Sequence, residues 1–507
     1  MPGDGASGGY RVIRGGRLLD IGARAARPAD LLIAGDTIRE IGPWGMPIPE
    51  GAAVLDATDR LLMPGLINGH THAHGALAKG LVGDRWPLEL LLNALPGFNR
   101  ERTLADKYLC GLLNAVEMIR KGCTACFDMF VEFPLPSVEG IGAIGKAYAD
   151  VGMRAVVAPM MADRTLYRAL PGLLEAIPDP LRAEVEKIST APYEASLEVC
   201  RRLLHQWPFD RDRIRPALAP TIPLHCSDEF LVGCRDLATE YEVCLQTHLA
   251  ESKVQAVLGV RRYGKSLTAH LDGLGFLGPR LSAAHAIWLD AEDIRRFADR
   301  GASVVHNPLS NLRFGSGIAP VRELLERGVN VGIGTDATST ADTLNMFEAT
   351  RLTTFLSRVA TFDYPRWLGP DEVLCMATEG SARALGFGDV VGRLEPGCKA
   401  DIVFLDLAYI HYVPLHDIVR QVVFAENGAA IAGVMVGGRM VFDGKTVLTI
   451  DERKLRADAS EAAERHQMAT AEARRFAAKL EDYVGAFCAT QARLPHPVAR
   501  HLGCLDT

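Results

Sequence analysis

The chain reads as an α/β protein, a closed (β/α)8 TIM-like barrel carrying a small β-sandwich domain built from both chain ends. Three observations predict this. Between residues 61 and 390, short apolar strand-like runs alternate with segments of helical apolar spacing. On either side of that region, short β-branched runs are set off by Gly-rich turns. Several of the inner runs close on a histidine or an aspartate, at the strand ends where barrels of this kind collect their chemistry.

The first end supplies strand-like runs at 10–13, 17–19, 30–34, 37–41 and 53–56, separated by Arg14-Gly15-Gly16-Arg17 and Ala34-Gly35-Asp36. Such turns are hairpin punctuation, so an antiparallel sheet is expected. Runs at 401–405, 431–436 and 439–442, around Gly437-Gly438 and Asp443-Gly444, repeat the pattern. The economical reading is one β-domain from 1–60 and 391–450, interrupted by a barrel over 61–390. In the barrel, strands are expected at the opening run and at 124–130, 154–161, 215–221, 243–248, 282–285, 303–307 and 329–336. Helical spacing falls between most of them, at 104–120, 195–206, 228–241, 291–300 and 319–327. An open doubly wound sheet is the alternative, but no Gly-x-Gly-x-x-Gly follows the first strand to support a dinucleotide. Residues 451–507 form a C-terminal helical extension rich in Ala, Glu, Arg and Lys, expected to pack on the barrel or on a second subunit. Pro495 and Pro497 end its helical character, and His496 and His501 read as surface residues.

Composition narrows the function classes. With 507 residues, 48% of them hydrophobic, the chain can bury a large core. Its net charge of −7 and scattered Lys and Arg give no basic stripe, so a nucleic-acid partner is not expected. No apolar run reaches the ~18 residues of a membrane span, and the lead Met1 to Gly9 has no apolar core. A soluble, unexported protein is expected, with no membrane partner. The eleven cysteines lie mostly within apolar segments at irregular spacing, which reads as reduced thiols and a cytoplasmic location. Cys123-Thr124-Ala125-Cys126 has no second pair at zinc-knuckle distance. Positions i and i+3 of a strand point to opposite faces, so these read as two core thiols.

The chemistry centres on Met63-Pro64-Gly65-Leu66-Ile67-Asn68-Gly69-His70-Thr71-His72-Ala73-His74. A strand's period of two places His70, His72 and His74 on one face, with spacing suited to a borderline metal. Further candidates close later strands: His248 and Glu251 in Gln246-Thr247-His248-Leu249-Ala250-Glu251-Ser252, His285 after Ala283-Ala284, and Asp336 after Gly334-Thr335. Polar, metal-competent groups ending four separate apolar strands point to one shared site.

These motifs, with His306-Asn307-Pro308-Leu309-Ser310-Asn311 and the late Gly392-Arg393-Leu394-Glu395-Pro396-Gly397-Cys398-Lys399-Ala400-Asp401, give a chain that resembles the amidohydrolase superfamily nearly end to end. The similar branch contains cytosine, guanine and S-adenosylhomocysteine deaminases and the triazine hydrolases. The resemblance implies that His72, His74, His248 and Asp336 ligate one divalent metal, Zn(II) or Fe(II), with His70 behind the pair. Relatives with two metals use a carboxylated lysine ending strand four, and 216–221 has no lysine, which favours one ion. Glu251 is then expected to carry the proton between water and leaving group, His285 to polarise the water or stabilise the oxyanion, and Asp336 to share in proton transfer.

The resemblance implies a small-molecule substrate and a homo-oligomer, often a dimer. The expected reaction is hydrolytic deamination of an N-heterocycle such as a purine, pterin, pyrimidine or triazine. Hydrolysis of an amide, urea or carbamate, or displacement of a halide or thiol, would use the same water. A non-catalytic scaffold would have lost ligands, and none is missing. Thr221 stands where many deaminases of the branch show a histidine after Ala-Pro, and the loop 80–88 departs from their acidic form. Thr221, Trp86, which could stack on a planar ring, and Arg313 are the pocket candidates.

Overall fold

The chain is described by a computed structural model over residues 9–501. The lead up to residue 8 and the last of the eleven cysteines, Cys504, lie outside the described residues.

Among the described residues sixteen strands follow one another as β1 (Tyr10–Asp20), β2 (Ala25–Ala34), β3 (Thr37–Gly42), β4 (Ala53–Asp56), β5 (Arg60–Pro64), β6 (Leu66–Thr71), β7 (Cys123–Val131), β8 (Arg154–Met161), β9 (Ile214–Pro220), β10 (Cys244–Leu249), β11 (Leu281–His285), β12 (Ser303–His306), β13 (Val331–Ile333), β14 (Ile402–Asp406), β15 (Ile431–Val436) and β16 (Arg439–Phe442). The first five and last three make one sheet, ordered β16-β15-β14-β5-β1-β2-β3 with β4 beside β1. Both chain ends therefore build the small sheet. It is mixed rather than purely antiparallel, because β1 pairs in parallel with β4 along Arg11–Arg14 and with β5 at Arg17 and Leu18. The expected runs at 10–13 and 17–19 are one strand, whose pairing with β2 shifts register between Ile13 and Gly16.

Strands β6 to β13 form the barrel, all neighbours parallel. The last strand returns to the first through Asp336 N–H, which donates to His70 O at 3.0 Å, and Thr335 N–H, which donates to Asn68 Oδ1 at 3.0 Å. Gly65 is the step between the two sheets. A Cβ there would meet Thr124 Oγ1 at 2.1 Å, so only glycine lets β5 run on into β6 against β7.

Inside the barrel, Ile67, Ala125, Phe127, Met129, Val156 and Ala158 alternate along their strands as a period of two requires, and Leu385 and Phe387 pack against them. Cys123 and Cys126 are buried, and all ten described cysteines are unbridged. Both pack in the strand–helix layer, because pairing with β6 passes from Leu66↔Cys123 to Ile67↔Ala125 and skips Thr124. Burial pushes both thiols up, as expected of core cysteines.

The helix Leu104–Ile119 starts at a capping box of Thr103 and Asp106, and Ala291–Arg300 starts at one of Asp290 and Asp293 and stops at left-handed Gly301. In the tail, helices Glu452–Ala469 and Ala471–Ala492 lie against the barrel. The second packs on the helix Leu88–Asn99, where Asn93 Nδ2 donates to Ala477 O at 2.9 Å.

Candidate metal centre and active site

Strand β6 ends at Thr71, with His70 as its penultimate residue. His72 is still extended, with φ −136° and ψ 102°, and a 3-10 turn over Ala73–Ala78 begins immediately afterwards. Asp128 on β7 helps turn the chain, its Oδ1 accepting the Ala73 N–H at 2.9 Å. His248 lies near the end of β10, His285 ends β11, and Asp336 follows β13. Around them, Ala250, His285, Ala286 and Asp336 have positive φ of 47°, 69°, 49° and 64°. Left-handed backbone at a residue with a Cβ costs roughly 1–3 kcal/mol, and such strain gathers at sites whose surroundings enforce it.

Ring tautomers follow from the acceptors. His72 Nδ1 lies 2.6 Å from Met129 O and His248 Nδ1 lies 2.7 Å from Thr221 O. A carbonyl only accepts, so both Nδ1 atoms carry the proton and both Nε2 atoms are bare. Gln246 Nε2 donates to Gly69 O at 3.0 Å and to Ser282 Oγ at 2.9 Å, which turns its Oε1 toward His70 Nδ1 at 2.7 Å. His70 Nδ1 therefore donates, leaving its Nε2 bare and without a hydrogen-bond partner. The Nε2 atoms of His72 and His248 face each other at 3.1 Å. Two lone pairs at that distance repel unless a proton or a cation lies between them.

Asp336 supplies the countercharge, with Oδ1 3.3 Å from His72 Nε2 and 3.9 Å from His70 Nε2. The ligand atoms of His70, His72 and His248 lie within 4.8 Å of one another, as do those of His70, His285 and Asp336. Three neutral imidazoles and one carboxylate fit a divalent transition metal, and this is the donor chemistry of a zinc site with a position left for water. The titration directions agree. Burial, then neighbouring imidazolium charge, drives His70 well down and His248 to about 3, favouring the neutral form that ligates. Burial alone would raise Asp336, but the charges of His72, His70 and His285 and a 2.6 Å bond from Ser310 Oγ outweigh it and hold the carboxyl low.

Glu251 stands beside this cluster, 2% exposed, with Oε2 3.5 Å from His285 Nε2 and Oε1 unpaired. Burial first, then the charges of Asp336 and Glu89, push its carboxyl well up. His285 Nδ1 meets Asn311 Oδ1 at 2.8 Å, which turns its bare Nε2 toward Glu251 and toward Asp336 Oδ2, 4.0 Å away.

Of the site residues expected from sequence, His72, His248, Asp336, Glu251 and His285 come together. The expected partner of His72 was His74, but the residue whose ring converges with His72 and His248 is His70. The extended conformation stops at His72, and one residue into the 3-10 turn the period of two no longer applies, so His74 turns aside. Its Nδ1 faces the Val131 N–H at 3.4 Å, and it is absent from both convergent groups.

A cavity of about 540 Å³ lies over the ends of β7, β8 and β9, lined among others by Val131, Phe133, Met160, Arg164, Thr221 and Phe476; no residue of the cluster lines it, and Thr221, whose carbonyl faces His248 Nδ1, joins the two. Of the three pocket candidates, Thr221 lines this cavity. Trp86 and Arg313 do not line it: Trp86 Nε1 donates to Glu481 Oε1 at 2.8 Å, and Arg313 bridges Asp342 Oδ2 at 2.9 Å and Asp84 O at 3.0 Å. The sequence reading missed Gln246 and Asn311, which set the ring orientations, and Phe476, which the tail lends to the cavity. Only the first two lie within motifs it had singled out.

The sequence profile of the amidohydrolase family matches residues 61–441. A 5-methylthioadenosine/S-adenosylhomocysteine deaminase of Syntrophobacter fumaroxidans is 34% identical over 437 residues, 85% of this chain and 92% of its own length. A 5'-deoxyadenosine deaminase of Methanosarcina barkeri is 32% identical over 457 residues, 90% of this chain and 93% of its own. Among solved structures, an adenosine deaminase from Xanthomonas campestris with bound zinc superposes with a TM-score of 0.79 at 27% identity, covering 90% of this chain and 98% of that one. Atrazine chlorohydrolase from Arthrobacter aurescens TC1 complexed with zinc gives 0.77 at 26% identity, covering 89% and 99%.

Proposed function

Since the chain belongs to the amidohydrolase family and is a hydrolase of C–N bonds other than peptide bonds, we propose that it deaminates a ring bearing the adenine-type amine, using one zinc ion held by His70, His72, His248 and Asp336. The observation that carries this reading is the convergence of three bare Nε2 atoms on Asp336, with a buried Glu251 beside them and a cavity large enough for a heterocycle at the same rim. The relatives named as deaminases of adenine nucleosides support the choice of ring.

When bound, the ion supplies acidity to a water molecule, lowering its pKa from ~16 toward ~7. The rest falls to the chain. Glu251 takes the water's proton and returns it to the departing amine, a task suited to a carboxyl pushed up by burial. His285, its tautomer set by Asn311, turns its Nε2 toward the attacking oxygen. Asp336 keeps the cluster's charge balanced through Oδ1 while Ser310 occupies Oδ2. Met160, Phe133 and Phe476 give the ring apolar walls.

The metal identity, a homo-oligomeric assembly and a cytoplasmic location belong to the same proposal, as do domain limits at 1–60 with 391–450, 61–390 and 451–507. The zinc-bound neighbours support the first. For the location, the support is ten unbridged cysteines, and no helix among the described residues is long and apolar enough to cross a membrane. The test is ammonia release by the zinc-loaded protein across adenine nucleosides, pterins, pyrimidines and aminotriazines. Release from an adenine derivative is expected. No ammonia from any ring amine, with amine release from ureas or chloride release from chlorotriazines, would overturn the reading.

A further inference from the structure

Glu89 is a buried acid whose one part in the reaction just described is the charge it presents to Glu251. It sits in the first turn of the helix Leu88–Asn99, is 2% exposed, and is pushed up by burial. Ser252 Oγ lies 2.5 Å from Glu89 Oε1. The same hydroxyl accepts the Gln255 N–H at 3.1 Å as the N-cap of the helix Lys253–Tyr263, so its own proton is free to donate to Glu89. Gln255 Oε1 in turn accepts the N–H of Glu251 at 3.0 Å. On the other side, Ala250 O accepts Ile287 N–H at 3.2 Å and Trp288 N–H at 3.0 Å, while Ala250 itself holds the left-handed φ of 47° that swings Glu251 off the strand. The peptide carrying Glu251 is thus fixed at every residue from 250 to 252, and among the described residues its hydrogen bond to the helix Leu88–Asn99 is the one from Ser252 to the Glu89 carboxyl.

We propose that Glu89 is the positioning residue for Glu251: by gripping the Ser252 hydroxyl from the neighbouring helix, it holds the acid–base carboxyl at the distance the water and leaving group require. This rests on Glu251 acting as proposed above. Two other serine caps also touch acids, Ser137 with Glu132 at 2.8 Å and Ser266 with Asp293 at 2.5 Å. They supply the control, because Ser266 and Asp293 join two outer helices away from the rim.

The experiment compares Glu89→Ala, Glu89→Gln, Ser252→Ala, Asp293→Ala and Glu251→Gln in the zinc-loaded protein, on one heterocycle carrying either an amino group or chloride at the reacting carbon. Chloride departs without a proton and ammonia does not, so a misplaced proton carrier harms the amine more. Glu89→Ala is expected to lower kcat on the amine about tenfold or more, with KM, zinc content and thermal midpoint unchanged and a smaller loss on the chloride. Glu89→Gln, which still offers Ser252 an acceptor, should restore most of that rate. Ser252→Ala breaks the same bond and serves if Glu89→Ala does not fold. Glu89→Ala and Ser252→Ala both near the parent rate, an equal loss on both substrates, or the same amine-selective loss in Asp293→Ala would overturn the proposal. Full turnover by Glu251→Gln would instead sink the acid–base reading beneath it.

Discussion

At the floor of the barrel the Arg154 guanidinium and the Asp401 carboxylate satisfy each other, whereas at the rim six ionisable groups converge and leave several atoms without partners. On the floor, Arg154 Nε donates to Asp401 Oδ2 at 2.8 Å and Nη2 to Oδ1 at 3.2 Å, Nη1 reaches Asp212 O at 2.7 Å, and Gly437 N–H donates to Asp401 Oδ1 at 2.7 Å. At the rim, His70 Nε2, His285 Nε2 and Glu251 Oε1 are buried and unpaired, and four residues nearby hold left-handed backbone. A buried polar atom without a partner costs ~1–3 kcal/mol. The floor pair ties β8 to the segment entering β14 and is completed by the chain. The rim is completed only by what binds there, so its polar groups should matter for turnover and the floor's for stability.

Glu251→Gln is the strongest test of that division. It should lower kcat at least ~100-fold, the scale of a lost general acid–base group, while zinc content and thermal midpoint hold. Next in size is the contrast between two histidines of one motif. His70→Asn should reduce bound zinc from about one ion per chain to a small fraction, because it removes one donor of a four-donor set, whereas His74→Asn should leave the stoichiometry intact. Elemental analysis after gel filtration reads both. Loss of zinc in the His74 variant alone would return the site to the pairing expected from sequence.

That contrast also marks how far sequence carries. The barrel strands were legible because apolar runs and their polar last residues survive any detail of packing: 154–161 and 291–300 were placed to the residue. His248, Asp336, Glu251 and His285 could be proposed from sequence because each lies at or just beyond the end of a strand. His70 and His74 were exchanged because a period of two applies only while the backbone stays extended, and nothing in the local composition announces that the 3-10 turn begins at Ala73. Trp86 and Arg313 failed as pocket residues for another reason. Their partners, Glu481 and Asp342, are remote in sequence and claim the side chains for structure. Glu89 was not singled out, because its partner Ser252 lies 163 residues away in the sequence.

On the floor, Asp401→Asn leaves a buried guanidinium without its charge partner. Breaking such a pair costs about 3–5 kcal/mol, to be read in a urea titration. Turnover per folded molecule should be unchanged, since no atom of the pair reaches the rim. A loss of kcat in the remaining folded protein would mean that the floor and rim are coupled.

The smallest effect concerns a histidine at the end of β12. His306 ends β12, is 1% exposed, and burial, then the charge of His285, lowers it to about 3, against 6.5 for the free side chain. A base whose folded pKa lies below its unfolded one is neutral in the native state while the unfolded chain takes up a proton. Its contribution is therefore complete above pH 6.5 and is lost as the pH falls from there toward 3, at up to about 1.4 kcal/mol per pH unit. His306→Gln should lower the pH slope of stability between those limits by about one proton. His248 shares the same window but lies within the metal cluster, so its share of the slope should change when zinc is chelated. If the His306 share is the same with and without zinc, the residue belongs with the floor; if chelation changes it, His306 answers to the rim.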